Sequence, residues 1–95
     1  MIAAAKKGDT EIGQFLIAKG ADVNGEQKGD ETPLIQAAWN GHLEMVKLLV
    51  ERGADVNKST REGNFISAEL RSPLMMARKV GNQEVIDYLI GHGAK

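Results

Sequence analysis

Cysteine is absent from the 95 residues. That excludes disulfides, thiolate zinc sites and cysteine nucleophiles. It fits a reducing compartment, and the expected location is cytoplasmic, although a signal peptide already removed would leave no trace. An excess of charge is missing too. Twelve basic and 13 acidic residues leave a net charge of −1, which gives no strong pull toward nucleic acid or an anionic membrane. No apolar run reaches the length of about 18 residues needed to span a bilayer. Residues 1–7, Met-Ile-Ala-Ala-Ala-Lys-Lys, do not read as a signal peptide. No Gly-x-Ser-x-Gly elbow surrounds Ser59, Ser67 or Ser72, and no glycine loop ends in Lys-Ser or Lys-Thr. A length of 95 residues suits one domain with an economical core.

What is present is a repeat. Gly20-Ala21-Asp22-Val23-Asn24 returns 33 residues later as Gly53-Ala54-Asp55-Val56-Asn57. Residues 3–24 and 36–57 share ten identities in 22 positions. A third copy follows at an offset of 40: Pro33-Leu34 becomes Pro73-Leu74, Ala37 becomes Ala77, Gly41 becomes Gly81 and Glu44 becomes Glu84. Each copy reads as two short helices. In the second, Thr32 caps a helix that opens on Pro33, where the missing N–H costs nothing, and runs to about Asn40. Gly41 breaks the chain. A second helix over about Leu43–Arg52 carries Leu43, Val46, Leu49 and Val50 at helical spacing. Ala37 and Ala38 are small enough for close helix approach.

The 33-residue period, Thr-Pro-Leu at 32–34, the Ala37-Ala38 pair, Gly41-His42-Leu43-Glu44 and Gly53-Ala54-Asp55-Val56-Asn57 together resemble the ankyrin repeat. The resemblance covers about 1–24, 25–57 and 58–95 and implies an all-α solenoid of three helix–turn–helix repeats with β-hairpin or loop connections. It departs from the family at Ile35 and Met75, which replace the histidine after Thr-Pro-Leu, and at Asp30, where a turn glycine is common. The first copy lacks its Thr-Pro-Leu segment and hairpin, so it either begins inside a repeat or is trimmed from something longer.

Terminal repeats need polar outer faces. Arg78, Asp87 and Tyr88 replace Ala38, Lys47 and Leu48, as expected for a C-terminal cap. Gly13 and Gln14 replace Val46 and Lys47, as expected for an N-terminal one. Seven extra residues lie within 58–71, in place of a short hairpin. Gly63-Asn64 signals a turn there. Phe65, Ile66 and Leu70 either fold back as a satellite core or present a finger to a partner.

By position, the resemblance implies a binding face made of the inner helices and hairpin tips. It would comprise Lys6, Lys7, Trp39, Asn40, Arg78 and Lys79, with Lys28 and Glu31 at the first tip and Phe65 at the second. Trp39 is the only tryptophan, placed at an exposed helix end. It is either an interface anchor or a ring packed on Lys6 and Lys79. The expected partner is a protein or peptide bearing acidic groups, bound by a monomer without cofactor or metal. Nucleic acid, membrane and catalysis are not expected. The alternative is a structural repeat protein that oligomerises through its incomplete first copy. His42 sits at the Gly-His turn, where the resemblance implies a ring that bonds backbone groups between helices; Asp9 and Asn82 share its position, and all three read as helix caps. Asp22 and Asp55 read as turn formers, and His92 sits beside the last helix dipole. Asn24 and Asn57 hold a position that the resemblance associates with hydroxylation in some organisms, but their expected role is structural.

Overall fold

The computed structural model describes residues 1–25, 32–58, 60–62 and 69–95. Six helices occupy them: α1 (Ile2–Lys7), α2 (Thr10–Ala18), α3 (Pro33–Trp39), α4 (Leu43–Glu51), α5 (Pro73–Val80) and α6 (Gln83–Gly91). Two short strands, β1 (Thr60–Glu62) and β2 (Glu69–Arg71), pair antiparallel with Thr60 opposite Arg71 and Glu62 opposite Glu69. The insertion is therefore a hairpin. Residues 63–68, with Gly63, Asn64, Phe65 and Ile66, lie outside the described residues, as do Lys28 and Glu31.

Capping chemistry sets the helix starts. The Thr32 hydroxyl accepts from the Ile35 N–H at 3.2 Å, which satisfies an otherwise orphaned donor and accounts for a buried threonine. Ser72 does the same for Met75 at 3.1 Å. Pro33 and Pro73 take the first helical position in each case. Asp9 and Asn82 accept from Ile12 and Val85.

The three pairs stack. α3 packs between α1 and α5, and α4 packs between α2 and α6. Small side chains permit the close approach: Ala5, Ala37, Ala38 and Ala77 have no exposed surface. Leu34, Ile35, Met45, Val46, Leu49, Met76, Val85 and Leu89 fill the space between the helices. Removing one such leucine costs about 2–5 kcal/mol, a large share of a small domain's stability.

The repeated Asp-Val-Asn ties the copies together. The carboxylates of Asp22 and Asp55 accept from Asn24 and Asn57 N–H at 2.9 Å, closing the turns expected of them. The asparagine amides then reach forward. Asn24 Nδ2 donates to the Gly53 carbonyl (3.2 Å) and its Oδ1 accepts from Asp55 N–H (2.7 Å). Asn57 repeats this with Gly93 (3.0 Å) and Lys95 (2.9 Å). Lys58 Nζ also donates to the Asn24 carbonyl at 2.8 Å.

Three expectations need correction. His42 makes no cap to its helix. Its Nε2 stands 2.9 Å from the Lys6 carbonyl, and because a carbonyl only accepts, Nε2 carries the proton. The imidazole thus links repeats, and Asn82 does so as well: beyond capping α6, its Nδ2 donates to the Gly41 carbonyl at 3.3 Å. Gly13 and Gln14 are not an outer cap. Gly13 is buried, and a Cβ there would meet Met45 Cε at 3.1 Å and Leu48 Cδ2 at 3.2 Å, so that side of α2 faces the second repeat. Tyr88 also faces inward, with Lys47 Nζ 5.9 Å from its ring centre. Arg78 and Asp87 are exposed.

Candidate functional site

The inner helices all end in short turns at one side of the stack, and the residues there are in register. Lys6 and Lys7 close α1, Trp39 and Asn40 close α3, and Lys79 and Val80 close α5. All six are exposed. Lysines at helix C-termini also oppose the negative end of the helix dipole, so Lys6, Lys7 and Lys79 support their own helices wherever else they act.

Hydrogen bonds hold the row in place. The His42 imidazole fixes the Lys6 carbonyl, and Asn82 fixes the Gly41 carbonyl just beyond α3. Asn40 Nδ2 donates back to the Gln36 carbonyl at 2.8 Å, tightening the last turn of α3. The ends of α1 and α3 are therefore tied across repeat boundaries, and a partner meets a surface preorganised there.

Trp39 joins two repeats in this row. Lys79 Nζ lies 5.7 Å from its ring centre, a cation–π distance. The residue nevertheless remains 36% exposed, so the lysine does not cover it fully. Arg78 does not belong to the same line. It takes the place of Ala38, which is buried between helices, and so stands at the open C-terminal end of the stack. Val80 is 47% exposed beside Lys79. Its register with Lys7 and Asn40 places it in the row. It supplies apolar surface to a row otherwise made of Trp39, Asn40 and three lysines.

The opposite side of the stack offers an open cleft of about 230 Å³ between α2 and α4, lined by Thr10, Gln14, Glu44, Lys47, Leu48 and Glu51. Lys47 Nζ lies 3.9 Å from the Glu44 carboxylate there, a surface pair of small worth. Tyr88 and His92 stack nearby with ring centres 4.2 Å apart. Burial, and after it the Glu51 carboxylate, holds the Tyr88 hydroxyl above the ordinary phenol pKa. Among the described residues, no three His, Asp or Glu side chains converge as a metal site would require. No described helix is long and apolar enough to cross a membrane.

Comparison with known proteins bears on the whole chain. A family model described as ankyrin repeats in three copies matches residues 1–60, and one described as an ankyrin repeat matches residues 69–95. A search of curated proteins found no match. Ankyrin repeats are in general protein–protein interaction modules and are typically non-catalytic. With the matched segments coinciding with the stacked helix pairs and the Asp-Val-Asn turns that link them, the chain belongs to the ankyrin repeat family.

Proposed function

We propose that the three repeats act as one non-catalytic binding domain, located in the cytoplasm. Its target is a protein or peptide segment bearing acidic groups. The recognition surface is the concave row Lys6, Lys7, Trp39, Asn40 and Lys79, with Val80 as its apolar end and Arg78 flanking it. Lys28, Glu31 and Phe65, outside the described residues, are assigned to the same surface. One copy of the chain suffices for this binding.

A single observation carries the reading. The only tryptophan stands partly uncovered in a row of cations whose backbone is pinned between repeats. Tryptophan and arginine dominate binding hot spots, and carboxylates brought beside exposed lysines gain both steering and register. An acidic peptide with one apolar anchor would seat the anchor on Trp39 and Val80 and its carboxylates on Lys6, Lys7 and Lys79.

Trp39 emission reports this event directly, because no other tryptophan contributes. Titration with such a peptide should give saturable binding that weakens with salt. Lys79→Glu should weaken it by at least tenfold, and Trp39→Ala, followed calorimetrically, by about 30-fold, the ~2 kcal/mol of a hot spot. Unchanged affinity in both folded variants would remove this face from the proposal.

A further inference from the structure

The N-terminal side of the stack carries a second surface, on α2. In the second repeat the outer helix seats on the helix before it through Met45 and Leu48, which have 0% and 7% exposure and close on Gly13. The same register in the first repeat places Ile12 and Phe15, which are 48% and 60% exposed. The side of α2 that would receive a neighbour is therefore apolar and open.

A second copy can meet this face in two ways, and the chemistry separates them. A second copy stacked head to tail would bring α5 and α6 against this face. Arg78 stands where buried Ala38 permits close approach, and Asp87 stands where Lys47 meets the ring of Tyr88. Head-to-tail stacking would thus bury a guanidinium and set a carboxylate against the Phe15 ring, whose face is negative.

A two-fold arrangement meets neither obstacle. Glu11, Ile12, Phe15, Ala18 and Lys19 are all exposed and follow helical spacing of three and four along α2. Lys19 Nζ lies 5.5 Å from the Phe15 ring centre, so the lysine reaches this stripe. Glu11 and Lys19 stand equally far from Phe15 in sequence, on opposite sides of it. Antiparallel pairing of two α2 helices about Phe15 therefore sets Phe15 on Phe15, Ile12 beside Ala18 and each Glu11 opposite the Lys19 of the other copy. The surface is complementary to itself, as an isologous interface must be.

We propose that α2 is a homodimerisation surface, pairing antiparallel with α2 of a second copy through Phe15 and reciprocal Glu11–Lys19 contacts. Five residues on one short helix fall well below the ~800 Å² per partner of a standard interface, so pairing is weak and grows only with concentration. This gives the alternative of oligomerisation through the first repeat a definite geometry. It is independent of the acidic-peptide face, because the two surfaces share no residue.

Sedimentation equilibrium between about 10 µM and about 1 mM tests it, the range in which an interface this small associates. The wild-type mass should rise from 10.3 kDa toward twice that value and stop there. Phe15→Glu should stay monomeric throughout. Glu11→Lys and Lys19→Glu should each stay monomeric alone, because each makes the stripe one sign. Mixed together, the two should associate more tightly than the wild type. Circular dichroism confirms that the variants fold, which the exposure of all three positions favours. A wild type that stays monomeric, association that survives Phe15→Glu, growth past the dimer, or a mixture that remains monomeric would each overturn the proposal. Trp39→Ala should leave self-association unchanged, and Phe15→Glu should leave peptide binding unchanged, so the two proposals fail separately.

Discussion

Gly8 and Gly81 hold the same place in the first and third repeats and have nearly the same backbone, with φ of 75° and 76°. An L side chain in that left-handed conformation costs about 1–2 kcal/mol relative to the right-handed one, and the penalty is common to both. The surroundings differ. A Cβ at Gly81 would meet nothing within 4 Å, whereas one at Gly8 would stand 2.6 Å from both Cγ and Nδ1 of His42. An imidazole ring is rigid and cannot yield as a methionine tip does. It must swing away, which takes Nε2 from the Lys6 carbonyl and forfeits about 0.5–1.5 kcal/mol, together with the ring's packing. We expect Gly81→Ala to cost about 1 kcal/mol and Gly8→Ala about 3 kcal/mol. At about 4–8 °C per kcal/mol for a domain of this size, the melting temperatures fall by about 5 °C and about 15–20 °C. Urea unfolding followed at 222 nm gives both free energies. Combining Gly8→Ala with His42→Ala isolates the cause, because the ring can clash only once. The double variant should be more stable than the sum of the single losses predicts by about 1 kcal/mol or more. Equal losses at Gly8 and Gly81, or strict additivity in the cycle, would refute the claim that His42 closes on Gly8 to lock the first two repeats.

Further expectations concern the same framework. Gly13→Ala should stabilise the fold by about 0.5 kcal/mol in denaturant titration, because the helix gains about 1 kcal/mol of propensity and the displaced atoms are the movable ends of Met45 and Leu48. Asn24→Ala should cost about 2 kcal/mol by losing both inter-repeat bonds; Asn24→Asp keeps the acceptor for Asp55 N–H but turns a carboxylate toward the Gly53 carbonyl, and should recover little in the same assay. Tyr88 has a raised folded pKa, so its neutral form contributes stability that is complete below the ordinary phenol value and is lost as pH rises through the folded one. Thermal melts should show the wild type losing stability relative to Tyr88→Phe above about pH 10, and a constant difference below that.

The helix pairs were legible because each signal recurs. Thr32-Pro33 and Ser72-Pro73 mark the starts of the second and third inner helices, and the observed α3 and α4 lie within a residue or so of their expected bounds. Repetition also exposed Asp22 and Asp55 as turn formers rather than acids. What the register alone did not give was the direction of adjacent side chains on one helix. Ile12, Gly13 and Gln14 are consecutive, yet about 100° of rotation per residue places Ile12 outward and Gly13 against the next repeat. The polar substitution at Gln14 therefore suggested a cap on the wrong side. At His42 the implied backbone bond between helices is present, and only the helix cap expected beside it is not. Asp9 and Asn82 at its position do cap their helices, but a ring is too long to fold back and instead reaches Lys6 in the neighbouring repeat. In the binding row, Lys79 over Trp39 followed from the alignment, whereas the separation of Arg78 from that line needed the packing of Ala38 to be seen.

The recognition face has one most direct test. A two-dimensional ¹H–¹⁵N NMR titration of the intact chain with an acidic, singly anchored peptide follows every backbone amide and the Trp39 indole at once. The account predicts that the largest shifts fall on the Trp39 indole and on the amides of Lys6, Lys7, Asn40, Lys79 and Val80, with α2, α4 and α6 undisturbed. Shifts centred instead on Thr10, Gln14, Lys47 and Glu51 in the opposite cleft, or none at saturating peptide, would contradict it.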